Sequence, residues 1–402
     1  MGISLRTVLG NRGCVVSVRV NVSPELLLWA VERSGKSLLD LTESIPGLED
    51  WLSKNTSPTL KQLQSFADKT HTPVGTLFLD TPPAEVLPIP DMRTVKNRDI
   101  THLTADLLDT IYDSQAKQDW YRDYALENGA EPLDFVASCS TGTPVQEAAE
   151  KAKTLLKLPL THQEARNYDE AFRLLCQRVE EIGILVIVNG IVQHNTHRIL
   201  DVDEFRGFAL TDAITPLIFI NGQDTRAGKI FTLLHEFGHI LLGQSALDNP
   251  TLTDTGKSDK NDTELWCNEF AAHTLIPDSL ITNITTRELN QQLVDNLARQ
   301  TYTSTLTVLN RLYGAGLLSW DKYTTWYKKE EEQALEYLHN STPGSAGGNF
   351  YNMLPLRASK TLTRAIITST LEGQTLYTEA LSILGIKNPE AIDHLAKHLE
   401  VT

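Results

Sequence analysis

The sequence predicts an α+β fold: a mostly helical chain of several domains, with a small mixed sheet packed on one buried helix. Three observations lead to this prediction. The chain has 402 residues, which is more than one ordinary hydrophobic core accommodates. Apolar residues recur at helical spacing over most of its length. Short β-branched runs, by contrast, are confined to one region in the middle of the chain.

The first segment, residues 1–80, has the pattern of a compact bundle of short helices. Small polar or Gly/Pro stretches separate four helical patterns, which are Pro24–Ser34, Leu38–Ser44, Leu48–Ser53 and Pro58–Thr70. A cluster of prolines follows, at Pro82, Pro83, Pro88 and Pro90. Because proline cannot continue a helix, this cluster predicts a semi-extended linker.

The second segment, residues 81–165, is predicted to contain this linker and helical elements. Leu103, Leu107, Leu108 and Ile111 recur at helical spacing, and a further amphipathic helix is expected at Pro144–Leu158. Thr143 is the expected N-cap of that helix, with Pro144 at its first position.

The third segment, residues 166–285, is predicted to carry the sheet and the chemistry. A helix at Asp169–Ile182 precedes three candidate strands, which are Ile184–Val188, Phe205–Leu210 and Leu217–Ile220. The next helix, about Thr225–Leu242, is apolar nearly all round and is therefore expected to be buried.

This buried helix contains His235, Glu236 and His239, the H-E-x-x-H arrangement. Residues four apart differ by about 40° around a helix, so both imidazoles leave one face and can bind one ion. Glu236, roughly 100° from His235, can reach a water molecule on that ion as a general base. The pattern predicts a zinc site that activates water. The alternative, two core histidines satisfied by hydrogen bonds, is disfavoured because burying three polar side chains in an apolar helix is costly.

A third metal ligand is expected from the helix that starts near Asn261 and ends before Pro277. Glu264 and Glu269 compete for this role. They are five residues apart, which separates them by about 140° around the helix axis. Asn268 lies on the face of Glu264, where it could orient a ligand histidine, so Glu264 is chosen. The alternative for Glu264 is a capping box that starts at Asn261. Glu269 is expected to be a solvated carboxylate, and His273 is expected to be an ordinary helix histidine.

The last segment, residues 286–402, is predicted to be a helical region without a catalytic set. The charged run Lys328–Glu332 is interpreted as a solvated helix face, and Thr342–Gly348 as a loop. From Leu354 to Val401 the pattern is again helical. Scaffold is the simplest role for this region, and partner or substrate recognition is the alternative.

Composition and charge limit the classes of function that the protein can have. The fractions of hydrophobic and charged residues, 41% and 22%, are typical of a folded protein. A net charge of −15 argues against general nucleic-acid coating, since that affinity comes from Lys and Arg. No secretory h-region and no stretch of ~20 apolar residues is present, so neither export nor membrane insertion is expected.

The cysteines indicate a reducing compartment. Cys14, Cys139, Cys176 and Cys267 are scattered and form no C-x-x-C pair. This distribution fits reduced thiols better than a disulfide framework or a cysteine zinc site. The expected location is therefore cytoplasmic.

Three runs of sequence resemble the signature blocks of the ImmA/IrrE metallopeptidase family. They are Phe205–Leu210 (FRGFAL), Phe231–His239 (FTLLHEFGH) and Cys267–Ala272 (CNEFAA), the last closing at Pro277. The resemblance is close from about Ala171 to Pro277. It implies a gluzincin-like peptidase core with zinc bound by His235, His239 and Glu264. It also implies an intracellular role in stress, phage or mobile-element control, often by cutting a repressor or antitoxin.

The N-terminal bundle resembles the XRE-type helix-turn-helix module of longer members of this family. Trp51 and the helix start at Pro58–Leu60 match that module, and Leu87–Thr94 (LPIPDMRT) resembles the segment that joins it to the peptidase. Residues 1–80 hold eight Lys/Arg and eight Asp/Glu, however, whereas a DNA-binding module is usually basic. DNA is thus one expected partner of residues 1–80. Docking to a protein, or to the peptidase itself, is the alternative.

Two functions from different classes remain open. The first is a site-specific zinc endopeptidase that cuts an intracellular regulator, whose extended segment would pair with an edge strand such as Phe205–Leu210. The second is a transcriptional regulator that binds DNA or protein and keeps the zinc fold as a sensor or scaffold. The presence of Glu236 favours the enzyme, because a scaffold needs no general base.

Overall fold

The protein is described by a computed structural model that covers residues 18–83, 89–90, 104–248, 259–340 and 350–401. The chain divides into two compact units. The first comprises Met1–Pro88 and Arg98–Ile111, and the second comprises Ile89–Asn97 and Tyr112–Thr402. Helices surround a small mixed sheet, which confirms the predicted α+β class. Cys14, Leu103, Thr342–Gly348 and, apart from Ile89 and Pro90, the Leu87–Thr94 segment lie outside the described residues.

The first unit is built from short helices, as the sequence predicts. These are α1 (Pro24–Arg33), α2 (Leu38–Ser44), α3 (Leu48–Leu52), α4 (Leu60–Lys69) and a 3-10 helix at Val74–Phe78. Thr59 caps α4 through a reciprocal pair of hydrogen bonds with Gln62. Buried apolar side chains from all of these helices, among them Leu27, Trp51 and Phe66, form one core.

The remaining helices follow in chain order. They are α5 (Ala105–Glu127), α6 (Val145–Leu155), α7 (Tyr168–Glu181), α8 (Arg226–Leu242), α9 (Asp259–Leu275), α10 (Asp278–Ile281), α11 (Gln291–Thr301), α12 (Thr305–Gly314), α13 (Trp320–Asn340), α14 (Phe350–Arg357), α15 (Lys360–Leu371), α16 (Tyr377–Leu384) and α17 (Glu390–His398). Among the described residues, no helix is both long enough and apolar enough to cross a membrane.

The start of α6 differs from the prediction. Pro144, expected at the first helical position, is itself the N-cap residue, and no side chain caps this helix. The hydroxyl of Thr143, the expected cap, instead accepts a hydrogen bond from the backbone N–H of Ser140 at 3.0 Å. Thr143 is therefore engaged in the preceding turn, which competes with helix capping for the same oxygen.

Within the described residues, the sheet has four strands in the order β1-β3-β2-β4. They are β1 (Leu185–Asn189), β2 (Gly207–Leu210), β3 (Leu217–Asn221) and β4 (Ala246–Asp248). The β1–β3 pair is parallel, whereas β2 runs antiparallel to both β3 and β4. Both edges of β2 are thus occupied, so the expectation that Phe205–Leu210 offers a free edge is wrong. The strands at the two ends of this order are β1 and β4, and the three residues of β4 are too few to give a periodic signal in the sequence.

Helix α8 lies against one face of the sheet and forms the centre of the larger core. Ala209, Ile218 and Ile220 share that core with Leu233 and Phe237 of the helix. Every residue from Ile230 to Leu242 is buried, which confirms the predicted burial. Thr225 caps the N-terminus of α8 by accepting from the N–H of Gly228 at 2.9 Å.

The C-terminal end of α8 is closed by a left-handed glycine and by a neighbouring loop. Gly243 adopts φ +70° at the C-cap, a conformation that glycine accepts at little cost. The N–H groups of Ala137 and Cys139 donate to the carbonyls of Ile240 and Leu241. The Ile240 carbonyl also accepts from the N–H of Gly243, and the bond from Cys139 gives the Leu241 carbonyl a partner. These bonds fix the end of the helix that carries the candidate metal ligands.

The C-terminal region is helical, as predicted, and is tied to the core through Glu180 near the end of α7. Ser359, the N-cap residue of α15, donates a hydrogen bond from its hydroxyl to the Glu180 carboxylate. The backbone N–H of Thr361 donates to the same oxygen at 3.4 Å. A carboxylate of the core thus lies at the N-terminus of α15, where the helix dipole favours negative charge.

Candidate metal centre

Two neighbouring helices bring three potential metal ligands together. His235 and His239 lie one turn apart on α8, and their Nε2 atoms are 3.2 Å from each other. Glu264 on α9 faces both rings. Its Oε2 is 3.3 Å from His235 Nε2, and its Oε1 is 3.3 Å from His239 Nε2. These residues form a group in the described part of the chain that could hold a metal ion.

The distances between the donor groups fit one small ion held by all three residues, with Glu264 facing the two histidines through different oxygens. Zinc binds histidine nitrogen and carboxylate oxygen at ~2.0–2.1 Å, which places ligand atoms roughly 3.3–3.4 Å apart. The observed separations of 3.2 and 3.3 Å lie close to that value. Glu264 Oε1 is buried and has no hydrogen-bond partner among the described residues. A cation between the two helices would satisfy this oxygen, so the donors fit a bound metal.

Glu236 is buried beside this group, against the sheet. The side chain is 0% exposed, and a methyl group built on Gly207 of β2 would lie 3.0 Å from Glu236 Oε1. The same methyl would lie 2.6 Å from Thr232 Cγ2. Gly207 is therefore the residue that leaves room for this carboxylate. The sequence shows this glycine within the FRGFAL run but does not show its role, which depends on a contact between distant residues.

Cys267 is a neighbour of the ligands that the sequence analysis did not identify. Burial raises the pKa of its thiol, and His239, which shares a hydrogen bond with the thiol, opposes that rise. Helix α8 comes close to Cys267 at Gly238, where a methyl group would meet Cys267 Sγ at 3.1 Å and Phe270 Cδ1 at 3.2 Å. Gly238 therefore permits the close crossing that brings Glu264 to the histidines.

The structure does not support the role expected for Asn268. Its Oδ1, the atom that would accept from a ligand histidine, is buried without a hydrogen-bond partner in the described residues. Asn268 instead lines a cavity of about 740 Å³ beside α12 and α13, together with Glu269 and His273. The hydrogen bond expected between Asn268 and a ligand histidine is therefore not made among the described residues.

The start of α9 and the exposure of its side chains decide between the roles expected for Glu264 and Glu269. Helix α9 begins at Asp259, so Asn261 lies inside the helix and is not its N-cap residue. The capping-box alternative for Glu264 is therefore unsupported. Glu269 is exposed, as expected of a solvated carboxylate. His273 Nδ1 lies 3.8 Å from Asp278, and burial together with the nearby Arg311 lowers its pKa to about 4.

Comparison with known families agrees with this part of the fold. Residues 179–313 match the model of the M78 peptidase family, described as an IrrE N-terminal-like domain. The matched stretch contains the sheet, α8 and α9, and it supports the resemblance to the ImmA/IrrE family. Residues 358–398 match a domain of unknown function, DUF8813. No curated protein matches the chain. The family match suggests peptidase activity and a metal-dependent site.

Proposed function

We propose that the second unit is a zinc-dependent, site-specific endopeptidase, with the metal held by His235, His239 and Glu264. The observation that carries the proposal is the convergence of two imidazoles of α8 and one carboxylate of α9, whose facing nitrogen and oxygen atoms lie 3.2–3.3 Å apart. Two imidazoles and one carboxylate form a donor set typical of catalytic zinc, which keeps one further position open. The M78 match over residues 179–313 supports the same conclusion.

The chemistry would be divided between the metal and Glu236. A bound zinc ion supplies Lewis acidity, which makes water nucleophilic near neutral pH. Glu236 is adjacent in sequence to one ligand and lies against Gly207, outside the three-donor group. Its carboxylate would accept a proton from the attacking water and return it to the amine of the departing peptide. Gly207 leaves the room that this carboxylate occupies.

The substrate is proposed to be a protein that presents an extended segment. Because β2 is internal, such pairing requires an edge strand, and of the two edges β4 is the one next to β2, whereas β1 lies beyond β3. Asp248 of β4 is the register partner of Gly207, and Gly207 contacts the candidate base. A peptide added to β4 would therefore run along the edge of the sheet nearer to Glu236, about two strand spacings, or roughly 10 Å, from β2. From the ImmA/IrrE resemblance, the proposed substrate is an intracellular repressor or antitoxin, cut in the cytoplasm.

The proposal can be tested without knowing the substrate in advance. Protein purified without chelator should contain one zinc per chain, measured by elemental analysis. A Glu236→Gln trap should retain a partner from a lysate of the source cells, and the wild-type protein should cut that partner while chelator-treated protein should not. Absence of any stoichiometric transition metal would overturn the proposal.

The alternative function is regulation through the first unit, with the metal centre as a sensor. The pair α2–α3 has the order of a helix-turn-helix, but α3 is only five residues long and carries Glu49 and Asp50. Acidic side chains at this position would be repelled by DNA phosphates. Leu38 and Leu39 of α2 are 41% and 67% exposed. These features favour docking of a protein over DNA binding within this alternative.

A further inference from the structure

The edge of the sheet next to the candidate site carries a segment of the chain itself. In an edge strand, alternate residues direct their N–H groups away from the neighbouring strand. Leu247 of β4 pairs in register with Phe208 of β2, yet its N–H donates to the carbonyl of Pro90 at 3.1 Å. Pro90 therefore occupies the outer edge of β4 through a backbone hydrogen bond of the kind that joins strands.

The residue before Pro90 adds a side-chain contact. Ile89 is 5% exposed, whereas Pro90 is exposed. Both residues belong to the second unit, although the chain just before them, up to Pro88, belongs to the first. One backbone hydrogen bond combined with a buried neighbouring side chain is the pattern by which an extended peptide adds to a sheet edge. Proline-rich segments suit this role, because they are extended before they bind.

The candidate catalytic residues are closed to solvent in the same structure. His235, Glu236 and His239 are each 0% exposed, and Glu264 is 5% exposed. The strand that holds Pro90 lies next to β2, whose Gly207 contacts Glu236. A substrate that pairs with β4 needs the N–H of Leu247, which is already bonded to Pro90. A substrate and the Ile89–Pro90 segment thus compete for the outer edge of β4.

We propose that Ile89 and Pro90 hold the peptidase in a latent state by occupying the substrate-binding edge of β4. The inference rests on the proposed peptidase function and adds its regulation. A tethered segment competes at an effective concentration on the order of millimolar, so a free substrate must bind well to displace it. If Ile89 and Pro90 occupy the edge in about nine molecules of ten, releasing them raises the apparent affinity for substrate about tenfold.

The test uses the intact chain with two variants of Ile89 and one matched control at Pro90. Ile89→Asp places a charge at the buried position and should release the segment without altering β4 or the metal donors. Ile89→Ala removes most of the buried side chain without adding a charge, and it should release the segment to a smaller extent. Pro90→Ala changes only an exposed ring and keeps the carbonyl, so it should behave like the wild type. Hydrogen exchange of the Leu247 amide is the first readout, with the amides of β3 as internal reference.

In the wild type and in Pro90→Ala, the Leu247 amide should be protected. In Ile89→Asp it should exchange about tenfold faster or more, while the β3 amides keep their rates. Ile89→Asp should also cut the trapped partner faster, and a synthetic peptide of residues 87–94 should inhibit it. Equal exchange of Leu247 in wild type and Ile89→Asp would refute the occupation of the edge. Faster exchange without faster cleavage would refute the latency.

The exchange measurement needs no substrate. If no variant cut any protein while Leu247 still responded to Ile89→Asp, the proposed peptidase and its latency would be refuted. The assignment of Ile89 and Pro90 to the edge of β4 would stand. Failure of the regulation and failure of the enzyme therefore give different results.

Discussion

Gly207 of β2 and Glu236 of α8 are packed so closely that a methyl group on the glycine would lie 3.0 Å from the carboxylate oxygen. The same methyl would lie 2.8 Å from the carbonyl oxygen of Phe219 in β3. Because the methyl would also lie 2.6 Å from Thr232 Cγ2, α8 would have to shift away from β2, and Glu236 would shift with it. The position of the candidate base is thus set by the absence of a side chain on the neighbouring strand.

Gly207→Ala should consequently impair catalysis while leaving the metal in place. Displacement of the base by about 1 Å can cost on the order of 10²-fold in rate. Overpacking should also lower the free energy of unfolding by about 1–3 kcal/mol. Gly314→Ala is the matched control, because nothing lies within 4 Å of a methyl group there. Cleavage rate, zinc content and urea unfolding should be compared, and unchanged cleavage by Gly207→Ala would contradict this role.

His239→Ala should lose the metal and loosen the second unit, because metal binding is coupled to folding. His273→Ala, which alters a histidine of α9 outside the donor group, should keep one zinc per chain. Thermal melting with and without chelator separates the metal's contribution from that of packing. Chelator should lower the melting temperature of the wild type and of His273→Ala, but not that of His239→Ala. Stoichiometric zinc in His239→Ala would show that this residue is not a ligand.

The contact between Glu180 and α15 predicts a pH-dependent contribution to stability. Burial raises the pKa of Glu180 from 4.5 to about 7, although bonds from Ser359 and nearby backbone N–H groups oppose the rise. The folded state therefore keeps a proton that the unfolded chain has lost. The contribution of this group should be complete below pH 4.5, fall as the pH rises, and be lost above about pH 7.

Glu180→Gln should remove this dependence, since an amide does not titrate in the range. The free energy of unfolding, measured with urea between pH 4.5 and 8, should fall with pH more steeply in the wild type than in Glu180→Gln. Ser359→Ala removes one hydrogen-bond donor to the carboxylate and should steepen the fall. Identical pH profiles for wild type and Glu180→Gln would contradict the raised pKa.

The first unit should show little salt-sensitive affinity for DNA. Binding through phosphates would weaken steeply with added salt, but α3 carries Glu49 and Asp50, and the charges of residues 1–80 cancel. Fluorescence anisotropy of the intact chain with a duplex from its own upstream region would test this. A steep loss of affinity between low and physiological salt would instead support DNA binding.

The features predicted correctly from the sequence are those set by local periodicity. The ends of α1, α2, α4 and α8 are marked by caps, prolines or glycines and lie within one or two residues of the predicted positions. His235 and His239 converge because helix geometry alone places them on one face. The convergence of Glu264 on them, which a second helix must supply, is present in the structure with the expected spacing.

What could not be predicted depends on contacts between distant parts of the chain. Strand β4 is three residues long, so its pairing with β2, which removes the expected free edge, leaves no pattern in the sequence. The contact of Cys267 with His239 depends on how α8 crosses α9. The hydrogen bond expected at Asn268 is wrong, since its Oδ1 has no partner in the described residues, and its place in the lining of the cavity beside α12 and α13 depends on helices distant in sequence.

We propose that His235, His239 and Glu264 hold zinc while Glu236 acts as the base. Three substitutions of carboxylates separate these roles. Zinc content and cleavage of the trapped partner should be measured for Glu236→Gln, Glu264→Gln and Glu269→Gln. Glu236→Gln should keep zinc and lose roughly 10²–10⁴-fold in rate. Glu264→Gln should bind zinc more weakly, and Glu269→Gln should match the wild type. Full activity in Glu236→Gln, or zinc loss in Glu269→Gln but not in Glu264→Gln, would contradict the assignment.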